Sequence, residues 1–339
     1  MNIHEIAKAA GVSIATVSRV INGKRDVSNE TREKVVNIMN RMGYKPKFTT
    51  TSVIDYIGVF ISAGKISDPY GSILLDAIAD VVFDRQLSIA LMSSSKIPKE
   101  STEFVYFCKQ RNIKGGIFLV PSLSDNYIKE LGRQFPLVVV GNSFESEFVG
   151  SVRSDNFTGS YKAVKYLIAC GHKKIMLVMA NFNYIDHKER YEGALRALAE
   201  ANLDLYPYNI MNSLILSDAD IAYSLDFAIK NSPPDAIFAG GDYEAIRVLR
   251  ALKDKGIKVP DDISIVGYDN LPITASSNPP LTTVNQPIHK IGTEAANMLL
   301  DMIASKKNKP RNILLQENDF IIRESVKHKN TDNLILNKA

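Results

Sequence analysis

The sequence predicts a small all-α head followed by an α/β body of two doubly wound parallel sheets. Three observations predict it. The first 44 residues show only helical periodicity, in three short stretches. From Tyr56 onward, apolar runs of five or six residues alternate with amphipathic helical stretches, the pattern of parallel strands covered on both faces. These runs form two series separated by a break near residues 142–156, which divides the body into two lobes.

In the head, Asn2 is placed to cap a first helix, with Glu5 reaching back to it. Ile3, Ile6, Ala7 and Ala10 then make one apolar stripe at helical spacing. Gly11 ends the helix by adopting positive φ, and Ser13 caps the next one. The second helix sets Val17, Val20 and Ile21 on one side and Ile14, Ala15, Ser18 and Arg19 on the other. A third starts at Ser28, turns Val35, Ile38, Met39 and Met42 inward and stops at Gly43. Two helices joined by a tight Gly-containing turn and closed by a third follow the helix-turn-helix plan. Small or moderate residues at the start of the second helix let its backbone enter a major groove. The hydroxyls of Ser13, Thr16 and Ser18 suit phosphate contacts, and Arg19 can donate twice to a guanine edge.

Charge agrees with that plan. Residues 1–47 carry nine Lys/Arg against four acids, whereas the other 292 residues hold 32 basic and 33 acidic groups. A basic module on a neutral body points to a polyanionic partner.

In the body the first series of strands is 56–61, 88–93, 115–120 and 137–141; the second is 174–179, 236–240 and 263–268. Doubly wound sheets take ligands at the carboxyl ends of their strands, so a small-molecule cleft is expected between the lobes. No apolar run reaches the roughly 18 residues of a bilayer span, and the N-terminus lacks the segments of an export signal. A cytoplasmic protein without a membrane partner is therefore expected. Cys108 and Cys170 read as reduced core thiols. His4, His172, His187, His289 and His328 have neither metal spacing nor a nucleophile–base motif, and "AGG" at 239–241 lacks a dinucleotide fingerprint. No catalytic residue, metal or cofactor is expected.

The head resembles the head-piece of the LacI/GalR family of bacterial transcription regulators. The resemblance rests on "AGVS", on the run Thr16-Val17-Ser18-Arg19-Val20-Ile21-Asn22, on Val27-Ser28 and on Gly43-Tyr44-x-Pro46. It implies that Ile14, Ala15 and Arg19 read bases and adds Asn22 to the DNA-facing set. The body resembles the family's effector domain in "SDNFTGSYKAVKYLIACGHKKIMLV", "RYEGALRAL", "AIFAGGDYEAIRVLRAL", "VPDDISIVGYDNLPITASSNPPLTTVNQP" and the closing "FIIRESV". Together these cover residues 2–325. The resemblance implies a periplasmic-binding-protein-like body joined by three crossovers. Its first lobe would be residues 56–155 plus about 288–316, its second about 156–287 plus the closing strand. The expected domains are 1–46, a linker 47–55, the body 56–325 and a polar tail 326–339.

The same resemblance places Tyr70, Arg190 and Asp269 beside an effector, with a sugar or sugar derivative as the leading class. A donor fork opposite an acceptor pair can bracket a polyol. Asp155 and Asp242 are read as caps of the helices that follow them. Expected partners are double-stranded DNA with a pseudo-palindromic operator, the effector, a second copy of the chain and a phosphorylated protein co-effector of the kind some relatives use. A sugar-binding protein without a regulatory role is the alternative; it would need an export signal and no basic head.

Three departures stand out. The linker lacks the Ala-Arg-x-Leu hinge motif, and Thr49-Thr50-Thr51 is a poor helix former, leaving Phe48 or Ile54 as substitutes for the minor-groove wedge. Gly241 stands where many relatives have an Asn facing the ligand. Ile215 and Leu216 stand near the position of a stacking aromatic, and the chain has no Trp. The tail has no heptad, so a dimer is expected rather than a four-chain assembly.

Overall fold

The computed structural model describes residues 2–21, 27–44, 55–61, 69–119, 123–142, 144, 146–180, 182, 184–213, 215–304, 309–316 and 319–329. Asn22, Phe48, Thr49–Thr51 and Ile54 lie outside the described residues. The chain divides into two compact units, Met1–Ile54 and Asp55–Ala339.

The first unit holds α1 (Ile3–Ala10), α2 (Ile14–Ile21) and α3 (Asn29–Arg41). Asn2 and Glu5 form the expected reciprocal cap on α1, and Gly11 turns the chain at φ 62°. Ser13 Oγ accepts from the Thr16 N–H at 3.0 Å and so starts α2. Ile6, Ala7, Ala10, Val17, Val20 and Val35 form the buried core, with Ile21, Ile38, Met39 and Met42 packed against it. So small a core tolerates little loss. Val17→Ala is expected to cost about 2 kcal/mol, read as a fall in the head's thermal midpoint.

The second unit begins with β1 (Tyr56–Ile61), α4 (Pro69–Asp84), β2 (Ser88–Ser93), α5 (Ser101–Gln110), β3 (Ile113–Leu119), α6 (Asp125–Gln134), β4 (Leu137–Val140) and β5 (Val149–Ser154). Next come α7 (Asn156–Ala169), β6 (Ile175–Val178), α8 (Ile185–Glu200), α9 (Asp218–Asn231), β7 (Ala236–Ala239), α10 (Asp242–Asp254), β8 (Ser264–Tyr268), α11 (Ile273–Ser276) and β9 (Thr282–Asn285). The chain then returns through α12 (Ile288–Ala304), β10 (Asn312–Leu315) and β11 (Asp319–Ile321). The first sheet runs β10-β5-β4-β3-β1-β2 and is parallel throughout. The second runs β11-β9-β8-β7-β6, parallel except for the antiparallel closing strand β11.

Alternate residues of each first-sheet strand serve opposite cores. Ile57, Val59, Ile117 and Val138 meet Leu74 and Ile78 of α4 and Leu299 of α12. Phe60, Phe118 and Val139 meet Phe104 of α5 and Ile128 of α6. Phe60 stacks on Phe118 with ring centres 4.5 Å apart. Gly58 and Gly116 flank that ring, and a Cβ at either would lie 2.7 or 2.8 Å from Phe60 Cε2. The second sheet is likewise covered on both faces, by α9 and α10 on one and α7 and α8 on the other.

All seven strands read from apolar runs are present. β5, which falls in the expected break, β9 and β10 are additional, while β11 lies at the start of the segment in which the resemblance implies a closing strand. β5 evades the apolar reading because Gly150 and Ser151 interrupt it, yet it is almost wholly buried. Ser151 Oγ donates across the sheet to Asn312 Oδ1 at 2.8 Å, which satisfies the hydroxyl inside. Residues 326–329, the start of the expected polar tail, dock on the second lobe. Val326 is buried, the Lys329 N–H donates to the Cys170 carbonyl at 2.8 Å, and Lys329 Nζ pairs with Asp235 at 2.9 Å. Among the described residues no helix is long and apolar enough to cross a membrane.

Candidate functional sites

In the head, α2 sorts its residues as its periodicity requires. Val17 and Val20 are buried, Thr16 and Ser18 are partly covered, and Ile14, Ala15 and Arg19 are exposed. Ile14, at 42 % exposure, is a large aliphatic group standing in water at the first turn of a basic module's helix. The hydroxyls are already engaged locally, Ser13 Oγ lying 2.9 Å from Thr16 Oγ1. The exposed face thus combines apolar bulk, a long cation and the helix's N-terminal amides, which suits a groove edged by phosphates.

In the body, Arg190 of α8 is the hub of a buried polar network. Its Nε donates to Asn156 Oδ1 at 2.8 Å, Nη1 to the Gly240 carbonyl at 2.5 Å and Nη2 to Gln286 Oε1 at 3.3 Å. Nη2 also pairs with Asp269 Oδ1 at 3.2 Å, and the guanidinium lies over Tyr268, 3.8 Å from its ring centre. Burial opposes the charge of Arg190, but Asp269 above all, then Tyr268, Asp186 and Tyr70, hold its pKa above the ordinary value. Tyr70, partly buried near the start of α4, packs on the first-lobe core and contributes from there to the field at Arg190. The structure brings Arg190 and Asp269 together, with one difference from expectation. Arg190 and Asp269 bond each other instead of standing apart around an open space, because α8 delivers the guanidinium straight onto the carboxyl ends of β7 and β8.

The turn after β8 is built to aim Asp269. Asp269 and Asn270 adopt φ 113° and 57°, a conformation that costs of order 1–3 kcal/mol per residue unless its surroundings enforce it. They do enforce it. The Asp269 N–H donates to the Val284 carbonyl at 2.8 Å, and Arg323 Nη2 holds Asn270 Oδ1 at 2.7 Å. Arg323 Nη1 donates to the Leu281 carbonyl at 2.7 Å and to Thr274 Oγ1 at 3.1 Å. Arg323 therefore positions the turn from the closing segment.

Asp155 caps α7, accepting from the Thr158 N–H at 2.9 Å. Asp242 does not cap α10; Gly241 holds the cap position without a side-chain bond. The Asp242 carboxylate is drawn instead to the Leu271 N–H and Thr283 Oγ1, each at 2.7 Å, so it ties α10 to the strained turn. Ile215 is exposed and Leu216 packs on the second-lobe core.

The site also contains acids that motif reading missed. Asp186 is buried one turn ahead of Arg190 on α8 and accepts from Asn156 Nδ2 at 3.0 Å. Glu244 is buried in the first turn of α10. The signal that could have found Asp186 was its i,i+4 spacing to Arg190. Burial pushes the Asp186 and Asp242 carboxyls up from 3.8 to about 7, although Arg190 opposes the shift at both. The folded chain then holds protons that the unfolded chain releases above about pH 4. Stability is expected to fall as pH rises from about 4 to about 7 and to level off above. Asp186→Asn removes one of these groups, so its thermal midpoint is expected to drop less than wild type between about pH 5 and pH 8.

Residues 2–47 match the family of bacterial regulatory proteins of the lacI type, and residues 164–326 match a periplasmic binding protein-like domain. The chain is 31% identical over 335 residues to the HTH-type transcriptional regulator DegA of Bacillus subtilis, covering 97% of this chain and 99% of the relative. It is similar to the transcriptional regulator CelR in complex with cellobiose, at 27% identity and TM-score 0.69, over 96% of this chain and 99% of that one. A LacI family regulator of Enterococcus faecium with bound ribose aligns at 26% identity and TM-score 0.68, over 80% and 99%. With a basic helix-turn-helix head, an α/β two-lobed body and full-length likeness to these regulators, the chain belongs to the LacI family and is a DNA-binding transcriptional regulator controlled by a small-molecule effector.

Proposed function

We propose that the chain acts as a cytoplasmic, non-enzymatic homodimeric repressor of a pseudo-palindromic operator, released or engaged by a sugar-type effector held at Tyr70, Arg190 and Asp269. Residues 1–46 form the reading head, 47–55 the linker and 56–325 the effector body. The observation that carries the reading is the face of α2. Ile14, Ala15 and Arg19 are exposed above a core pinned by Val17 and Val20. Arg19 takes a guanine edge, Ile14 and Ala15 read thymine methyls and groove shape, and Ser13, Thr16, Ser18 and Asn22 hold the backbone. Two heads on two half-sites require a twofold pair of chains. The sugar assignment is supported by the ligands named for two relatives, cellobiose and ribose. A protein co-effector is compatible with this reading.

Effector binding controls the heads only if the ligand favours one arrangement of the dimer. Gel shifts test this. Asp269→Ala is expected to keep operator binding and to lose the response to ligand; an unchanged response overturns the cleft assignment. Replacing Ile14 and Ala15 together is expected to change the operator recovered by binding-site selection while the head's melting stays put. Recovery of the same operator would defeat that division of labour.

A further inference from the structure

Arg190 and Asp269 lie 3.2 Å apart, which leaves no room for a ligand atom between them. An effector that accepts from one and donates to the other must part them, so α8 or the turn after β8 has to give. The turn is pinned. Arg323 holds Asn270, and the Leu271 N–H donates to Asp242. The Leu271 side chain, 3% exposed, belongs to the first-lobe core with Leu74 and Ile288. The guanidinium has no slack either, being fixed by Asn156, Gly240 and the face of Tyr268. The displacement therefore falls on α8.

α8 is tied to the first lobe at the residue before Arg190. Arg153, on β5 beside the crossover into α7, donates Nη1 to Glu189 Oε1 at 2.6 Å and to Oε2 at 2.9 Å. The two side chains are 22% and 20% exposed, so water screens this pair less than an ordinary surface pair. Asn156, at the end of that crossover, accepts from Arg190 and donates to Asp186. Gln286, on the crossover between β9 and α12, also accepts from Arg190. One face of α8 thus grips two crossovers and a strand of the opposite lobe. That lobe contains β1, the first strand after the linker to the reading head.

We propose that the Arg153–Glu189 pair is a lock on the angle between the lobes, closed while Arg190 and Asp269 satisfy each other and opened when an effector parts them. The lock is read from the ion pair; its opening by the effector rests on the cleft reading above. Hydrogen exchange of the full-length protein without ligand tests the lock. Glu189→Gln and Arg153→Met are each expected to speed exchange at the Asp155, Thr158 and Ile288 amides at least about threefold. The segment 221–229 of α9, on the other face of the second sheet, is expected to keep its wild-type rate. The double variant is expected to exchange no faster than either single one, because the two groups act as a unit. Unchanged crossover rates, equal acceleration in α9 or additive effects in the double variant overturn the proposal. Calorimetric titration with cellobiose and with ribose tests the coupling. Glu189→Gln is expected to bind whichever of them the wild type binds about fivefold more tightly, because the pair no longer opposes the parting. An unchanged Kd overturns the proposal and leaves the cleft reading standing. Binding of neither sugar counts against the sugar reading, and the exchange result alone then decides the lock.

Discussion

Arg190→Ala is expected to lower the stability of the body by about 3–5 kcal/mol, seen as a fall in its urea midpoint. The substitution strands several partners at once. Asn156 Oδ1, the Gly240 carbonyl and Gln286 Oε1 all lose a donor, and Asp269 loses its counter-charge. Only 4% of Arg190 is exposed, so water does not replace what is lost. Asp269 is the costliest orphan, because its backbone is already held at φ 113°. Arg190→Lys keeps the charge but cannot serve four acceptors in one plane or lie flat over Tyr268, so a smaller loss is expected. In a double-mutant cycle, Asp269→Ala is expected to recover part of the cost, since it removes the uncompensated charge. A loss below about 1 kcal/mol for Arg190→Ala would mean that the network is not what holds the lobe's strand ends together.

The fold was legible wherever burial is two-sided and apolar. β1 and the short runs at Leu137–Val140 and Ala236–Ala239 announce themselves because nothing polar interrupts them. Local capping chemistry was equally plain, as at Asn2 with Glu5 and at Asp155. β5 and β9 were hidden because Ser151, Thr282 and Thr283 carry hydroxyls that read as surface residues. Each is nevertheless buried, and Thr283 finds its acceptor on Asp242, 41 residues away. The Asp242 reading failed for the same reason. The rule that an acid at a helix start caps the helix sees only its chain neighbours, whereas this acid answers to Leu271 and Thr283.

The candidate site divides in the same way. Arg190, Asp269 and Tyr70 were identified from motif context, and Arg190 and Asp269 do meet. Their supporting residues were not legible, because Asn156, Gly240 and Gln286 arrive from α7, the end of β7 and the segment before α12, and only the folded sheet brings them onto one guanidinium. Gly241 was visible as a departure, but only the folded chain shows that the Glu244 carboxylate fills the space its side chain would take.

Arg19→Ala is expected to abolish specific operator binding while leaving the head folded. Arg19 is exposed on α2 and the core beneath it is made by Val17 and Val20, so its truncation removes little packing. Surface changes of this kind usually fall within about 0.5 kcal/mol in stability. On DNA the balance is different. A bidentate contact to guanine contributes about 1–3 kcal/mol of discrimination, and a twofold dimer makes it twice, for about 2–6 kcal/mol in all. That corresponds to a loss of roughly thirtyfold to twenty-thousandfold for the operator. Binding to scrambled DNA depends on the sum of basic charge in residues 1–47, of which Arg19 is one of nine, and falls only slightly. The measured quantity is thus the ratio of operator to scrambled affinity, by fluorescence anisotropy at fixed salt. Ser18→Ala supplies the contrast. A lost phosphate contact weakens both DNAs together and leaves the ratio unchanged. If Arg19→Ala also weakened both DNAs equally, Arg19 would be a backbone contact, and the reading of sequence would fall to Ile14 and Ala15 alone.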